Sequence, residues 1–135
     1  MRKTIPVSEY MSGLPEEIDR RDVLSEAIRR MRTHHIRHLP VMDGPHIYGI
    51  ISRSDVYNAW LRHGPSAGDT AVAECCTPNP LMVSPLAPIP EVARQMIGRG
   101  VTSVLVAEEG VLVGIFTSVD ALQVLADLAA PERAG

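Results

Sequence analysis

The stretch Gly49-Ile50-Ile51-Ser52-Arg53-Ser54-Asp55 decides the architecture, because it returns as Gly114-Ile115-Phe116-Thr117-Ser118-Val119-Asp120, displaced by 65 residues. The same displacement, without a gap, carries Val7 onto Val72, Glu9 onto Glu74, Pro15 onto Pro80 and Ile18 onto Val83. It also carries Arg29 onto Arg94, Met31 onto Met96, Ile36 onto Val101 and Val41 onto Val106. A register held over that length marks an internal duplication of one supersecondary unit. The copies are expected at residues 5–62 and 70–128, joined by a Gly- and Pro-bearing linker 63–69 and followed by a C-terminal tail 129–135.

Hydrophobic spacing gives the order within each copy. Val23, Leu24, Ala27, Ile28 and Met31 fall on one face of a 3.6-residue period, as do Ile89, Val92, Ala93, Met96 and Ile97. Each helix is followed by two short apolar runs, Ile36 to Met42 then Ile47 to Ile51, and Val101 to Ala107 then Val111 to Phe116. Asp43-Gly44-Pro45 and Glu108-Glu109-Gly110 separate them as turns. A second helix follows, with Val56, Tyr57, Trp60 and Leu61 matching Ala121, Leu122, Leu125 and Ala126. Apolar pieces around Ile18 and Val83 open the copies as strands. The fold class is therefore α/β (α+β), two β-α-β-β-α repeats.

The 135 residues hold 13 Lys+Arg against 16 Asp+Glu and are 45% hydrophobic, an ordinary globular composition. No apolar run approaches the ~18 residues of a membrane span, and Met1-Arg2-Lys3-Thr4-Ile5-Pro6 lacks the apolar middle of a signal peptide, so the reading is a soluble cytoplasmic protein. The net charge of −3 speaks against a general nucleic-acid binder. The charge is also uneven. Residues 1–67 hold ten Lys+Arg against eight Asp+Glu, residues 68–135 three against eight, and all five His lie in the first half. An anionic ligand would draw its positive partners from there.

The repeated motifs resemble a tandem pair of cystathionine-β-synthase (CBS) domains, the regulatory Bateman module. The resemblance rests on Ile36-Arg37-His38-Leu39-Pro40-Val41, Asp43 and Gly49 to Asp55 in the first copy, and on Gly114 to Asp120 in the second, which reads Val101-Thr102-Ser103-Val104-Leu105-Val106 in place of the basic pair and Leu-Pro-Val. It implies two repeats packed as a pseudo-two-fold pair, with clefts between them that take adenosine ligands such as AMP, ADP, ATP or S-adenosylmethionine. Carried over by position, Ser52 and Asp55, and Thr117 and Asp120, would contact ribose and phosphate. Arg37 and His38 would reach phosphate, and the regions of Ile18 and Val83 would flank the adenine. It further implies a homodimer, with Val56, Tyr57, Trp60, Leu122, Leu125 and Leu128 as apolar interface candidates.

The chemistry of the terminal motif stands beside the resemblance. A hydroxyl at a strand end and a carboxylate three residues on, in the first helical turn, share one side of the junction. Exposed N–H groups there attract phosphate, and an acceptor-only carboxylate suits vicinal hydroxyls. The same residues are equally ordinary helix caps. Arg37 and His38, facing Thr102 and Ser103 in the other copy, would make the first site the stronger for phosphate. His34, His35 and His38 straddle a helix end and are not expected to ligate a metal. Vicinal Cys75-Cys76 does not suit a disulfide and reads as two small buried side chains. Met31, Met96 and Trp60 read as core. No G-x-S-x-G, H-E-x-x-H, P-loop or G-x-G-x-x-G motif is present, so no enzyme is expected. The leading reading is a stand-alone nucleotide-sensing module needing no cofactor, with no membrane or nucleic-acid partner. The alternatives are a structural dimerisation module with vestigial clefts and a sensor of an S-adenosylmethionine- or NAD-type ligand.

Overall fold

The computed structural model describes residues 4–13 and 16–131. Met1-Arg2-Lys3, Pro15 of the Pro15–Pro80 correspondence, and residues 132–135 of the tail lie outside them. The chain forms two compact units, one of residues 16–80 and one combining 4–13 with 81–131.

In the first unit the order is β1 (Ile18–Asp19), α1 (Leu24–His34), β2 (His38–Asp43), β3 (His46–Ser52), α2 (Arg53–His63), α3 (Val72–Cys75) and β4 (Thr77–Pro78). The sheet runs β1-β2-β3-β4, with β1 parallel to β2 and the other pairs antiparallel. The second unit repeats it as β5 (Met82–Val83), α4 (Ile89–Arg99), β6 (Ser103–Glu108), β7 (Val111–Thr117) and α5 (Ser118–Ala129), with sheet order β5-β6-β7. Both hairpins carry a register shift at the same place, Val41/Met42 and Val106/Ala107. The expected β-α-β-β-α order is therefore present twice.

Leu24, Ala27 and Met31 of α1 pack on Leu39, Val41 and Ile51, while Val92 and Met96 of α4 pack with Val104, Val106 and Phe116. Both helices end in a left-handed residue, His35 (φ 53°) and Gly100 (φ 64°), with the N–H of Ile36 or Val101 returning to the carbonyl of Met31 or Met96. Such an end satisfies carbonyls that the helix leaves open, and glycine adopts it at least cost. His35 is thus a cap residue.

Several expectations change. Val23 is the N-cap of α1 and not a core residue, and Ile97 is 80% exposed because it falls off the row Ile89, Val92, Met96. Trp60, expected in the core, is 53% exposed, since Ala59 takes the inward position of α2. The linker region is a 3-10 helix, Gly64–Asp69, whose Ala67 is buried in the first core. The leaders are exchanged. Val7 is buried in the second unit's core and Ser12 pairs with Ile115, while Val72 and β4 complete the first unit. Tyr10 donates to Asp127 Oδ2 at 2.7 Å, fastening the leader to α5.

On α1, Glu26 accepts hydrogen bonds from Arg29 and Arg30, which hold its carboxyl at about 2. A carboxylate lowered on folding stabilises above its unfolded pKa near 4.5 and loses that contribution as pH falls toward 2. Glu26→Gln should therefore melt below the wild type at pH 7, and the two melting curves should converge between pH 4.5 and 2. Parallel curves across that range would show that the pair contributes nothing.

Candidate functional site

The repeated motif ends each hairpin at a strand-to-helix junction. At the end of β3, Asp55 N–H donates to Ser52 Oγ (3.1 Å), and Asp55 Oδ2 accepts from Ser52 N–H (2.9 Å) and from the Ser52 hydroxyl (3.0 Å). At the end of β7, Asp120 N–H donates to Thr117 Oγ1 (3.4 Å), and Asp120 Oδ2 accepts from Thr117 N–H (2.8 Å) and from its hydroxyl (3.2 Å). Both are reciprocal capping boxes, so the capping role is realised in each copy. The copies differ at the remaining oxygen. Thr77 of β4 donates to Asp55 Oδ1 at 3.3 Å, whereas Asp120 Oδ1 accepts no hydrogen bond from any described residue. Asp120 has the more available acceptor. Thr77 is a site neighbour that the sequence reading missed; its counterpart is Ser12, and only the strand register brings either near a junction.

The structure separates Arg37 from His38. His38 pairs with Ser52 across the β2–β3 ladder, so the two share a face of the sheet. Leu39, Val41 and Ile51 belong to the opposite, helix-covered face. Arg37 goes with that face and lines a groove between α1 and α2 together with Arg53. The Arg53 N–H donates to the Arg37 carbonyl at 3.0 Å, and Ser118 and Thr102 repeat that bond at 2.9 Å. Ile18 is 1% exposed and Val83 is also buried, each inside its unit's core; the exposed residue beside Val83 is Met82. A smaller cavity of about 420 Å³ adjoins Asp55, with Asn58, Leu61, Arg62 and Cys75 around it.

The other sequence candidates disperse. His34 Nε2 lies 3.1 Å from a Glu16 carboxylate oxygen, His35 caps α1, and His38 sits in the ladder. Among the described residues no three His, Cys, Asp or Glu side chains converge as a metal site requires. Cys75 is buried and Cys76 half-buried, both as free thiols. Burial raises both, Cys76 to about 11, so neither is a ready thiolate nucleophile.

This geometry is a duplicated strand-to-helix junction on a duplicated fold, and the CBS domain family model matches it twice, over residues 7–62 and 72–127. The chain is a tandem pair of CBS domains. The CBS pair is 37% identical over 101 residues to inosine-5'-monophosphate dehydrogenase from Korarchaeum cryptofilum (strain OPF8), an alignment that covers 73% of this chain. It spans about a fifth of that enzyme, 20% of its length. Among solved structures, the CBS domain pair of protein MJ0100 in complex with 5'-methylthioadenosine and S-adenosyl-L-methionine superposes with a TM-score of 0.82 at 25% identity, covering 90% of this chain and 99% of that one. An uncharacterized conserved protein from Pyrococcus horikoshii superposes with a TM-score of 0.82 at 27% identity, covering 99% and 100%. No helix among the described residues is long and apolar enough to cross a membrane.

Proposed function

We propose that this CBS pair is a regulatory, non-catalytic cytoplasmic module that senses an adenosine ligand of the AMP, ADP or ATP class at its strand-to-helix junctions. The observation carrying this reading is the recurrence, 65 residues apart, of a hydroxyl and a carboxylate locked together at a helix N-terminus. With the capping bonds made, the Ser54 and Val119 N–H groups remain for phosphate and Asp120 Oδ1 remains for a ribose hydroxyl. His38 shares a sheet face with Ser52 at the first junction, where an imidazole N–H offers phosphate a donor, and this supports a phosphate-bearing over a sulfonium-bearing ligand. The exposed row Leu122, Leu125 and Leu128 on α5 supports a homodimer. A second reading, an S-adenosylmethionine or methylthioadenosine sensor, is favoured by the ligands of the MJ0100 pair.

A thermal-shift panel of AMP, ADP, ATP, 5'-methylthioadenosine and S-adenosylmethionine separates these. A ligand at 100 times its Kd adds about 2.7 kcal/mol and a tighter one adds more at the same concentration, so with all ligands at equal concentration the phosphorylated ones should raise Tm most. A larger rise with S-adenosylmethionine selects the second reading, and a flat panel leaves a structural module.

The aspartates give a residue-level test. Asp55→Ala and Asp120→Ala should each cost about 1 kcal/mol of stability through the lost cap. If the carboxylates also hold ribose, calorimetric affinity for the best ligand should fall by about 1.5–3 kcal/mol, tenfold or more, in a variant that remains folded. Stability loss with unchanged affinity would leave them as caps alone.

A further inference from the structure

The duplication supplies an internal control for what the fold requires of its own residues. In the first repeat, α1, the turn after it and α2 enclose a half-open groove of about 700 Å³, within the size range of small-molecule sites. Its floor is Ile28, Met31, Ile36 and Val56, and the 65-residue shift keeps those positions apolar as Ala93, Met96, Val101 and Ala121. The rest of the lining is not kept. Arg32, Arg37 and Arg53 become Ile97, Thr102 and Ser118, and the aromatics Tyr57 and Trp60 become Leu122 and Leu125. The second repeat folds without any of these five, so the fold itself does not explain them.

Their charge is also unspent. Among the described residues no carboxylate lines the groove, and their ion pairs use Arg20, Arg21, Arg29, Arg30 and His34, none of them the three groove arginines. In a chain of net charge −3, three exposed arginines gathered around one apolar floor present a local positive patch that suits an anion. Guanidinium groups bind oxyanions through paired N–H donors, and exposed indole and phenol rings offer faces to a flat partner.

We propose that the groove binds a flat aromatic ligand carrying two or more negative charges, held by Arg32, Arg37 and Arg53 and stacked by Trp60 or Tyr57. This goes beyond the adenosine reading: Ser52, Asp55, Thr117 and Asp120 do not line the groove, and no ribose contact is required.

Pyranine (8-hydroxypyrene-1,3,6-trisulfonate), a flat trianion without a sugar, is a suitable probe. Its anisotropy should rise to saturation at one site per chain, with parallel quenching of Trp60, the chain's single tryptophan. Tripolyphosphate alone should compete poorly. Arg32→Gln combined with Arg53→Gln, both at exposed positions, should weaken binding by about tenfold or more, while Arg94→Gln, at an exposed arginine outside the groove, leaves it unchanged. Wild-type affinity in the double variant, or no saturable signal, overturns the proposal. So does a native mass spectrum in which the wild type is a probe-free dimer and the double variant a monomer, because a second copy would then occupy the groove. A flat adenosine panel with intact pyranine binding leaves this inference standing, and the converse leaves only the adenosine reading.

Discussion

Phe116→Ala is expected to lower stability by about 3–5 kcal/mol, the largest single-residue effect in the second repeat. Phe116 is the chain's one phenylalanine and is fully buried in β7. It packs in a cluster with Val7 from the leader, Val92 and Met96 from α4, Val104 from β6 and Val124 from α5. Truncation opens a cavity bounded by four segments besides β7 itself, which cannot all collapse inward together. The corresponding position in the first repeat is Ile51, also fully buried, so Ile51→Ala should cost about 2–5 kcal/mol by the same mechanism with a smaller void. Urea unfolding of the two variants beside the wild type measures both losses. A Phe116→Ala loss under about 1 kcal/mol would mean that the second core is not packed around this ring.

The features legible in the sequence were those that depend on local order. The 65-residue register, the amphipathic rows of α1 and α4, and the hydroxyl–carboxylate spacing are all set within one element or one junction. The missed features depend on which segments meet. The 65-residue shift makes Val7 and Val72 equivalent, yet equivalence does not say that each completes the unit built on the other repeat's hairpin. Trp60 has core composition and helical spacing, but Ala59 faces inward, and only the packing of α2 fixes that rotation. Arg37 and His38 are neighbours in sequence and form one basic pair there, whereas strand alternation sends them to opposite faces. His35, one of three clustered histidines, holds the left-handed cap position that Gly100 fills in the other repeat.

Gly49→Ala tests the leader exchange and the first junction together, and should destabilise by about 1–3 kcal/mol. A Cβ at Gly49 would lie 2.5 Å from the Thr77 carbonyl oxygen and 3.2 Å from Cys76 Sγ. The nearer atom belongs to the backbone of β4, which pairs with β3 through Gly49 and Ile50, so relief requires β4 to move away from the sheet. That movement would also withdraw Thr77 from Asp55 Oδ1, leaving that oxygen as open as its counterpart on Asp120. Gly114→Ala is the matched case. Its Cβ would meet the Ser12 carbonyl oxygen at 2.7 Å and Met11 Sδ at 2.6 Å, and of these the methionine side chain can swing aside but the backbone cannot. Hydrogen exchange should therefore accelerate around residues 76–79 in Gly49→Ala and around residues 7–12 in Gly114→Ala. If both variants loosen the same segment, or Gly49→Ala unfolds at the wild-type urea concentration, the exchanged leaders do not hold these sheet edges. The location of the loosening is more diagnostic than its size, because each clash strikes a segment that precedes the other repeat in sequence.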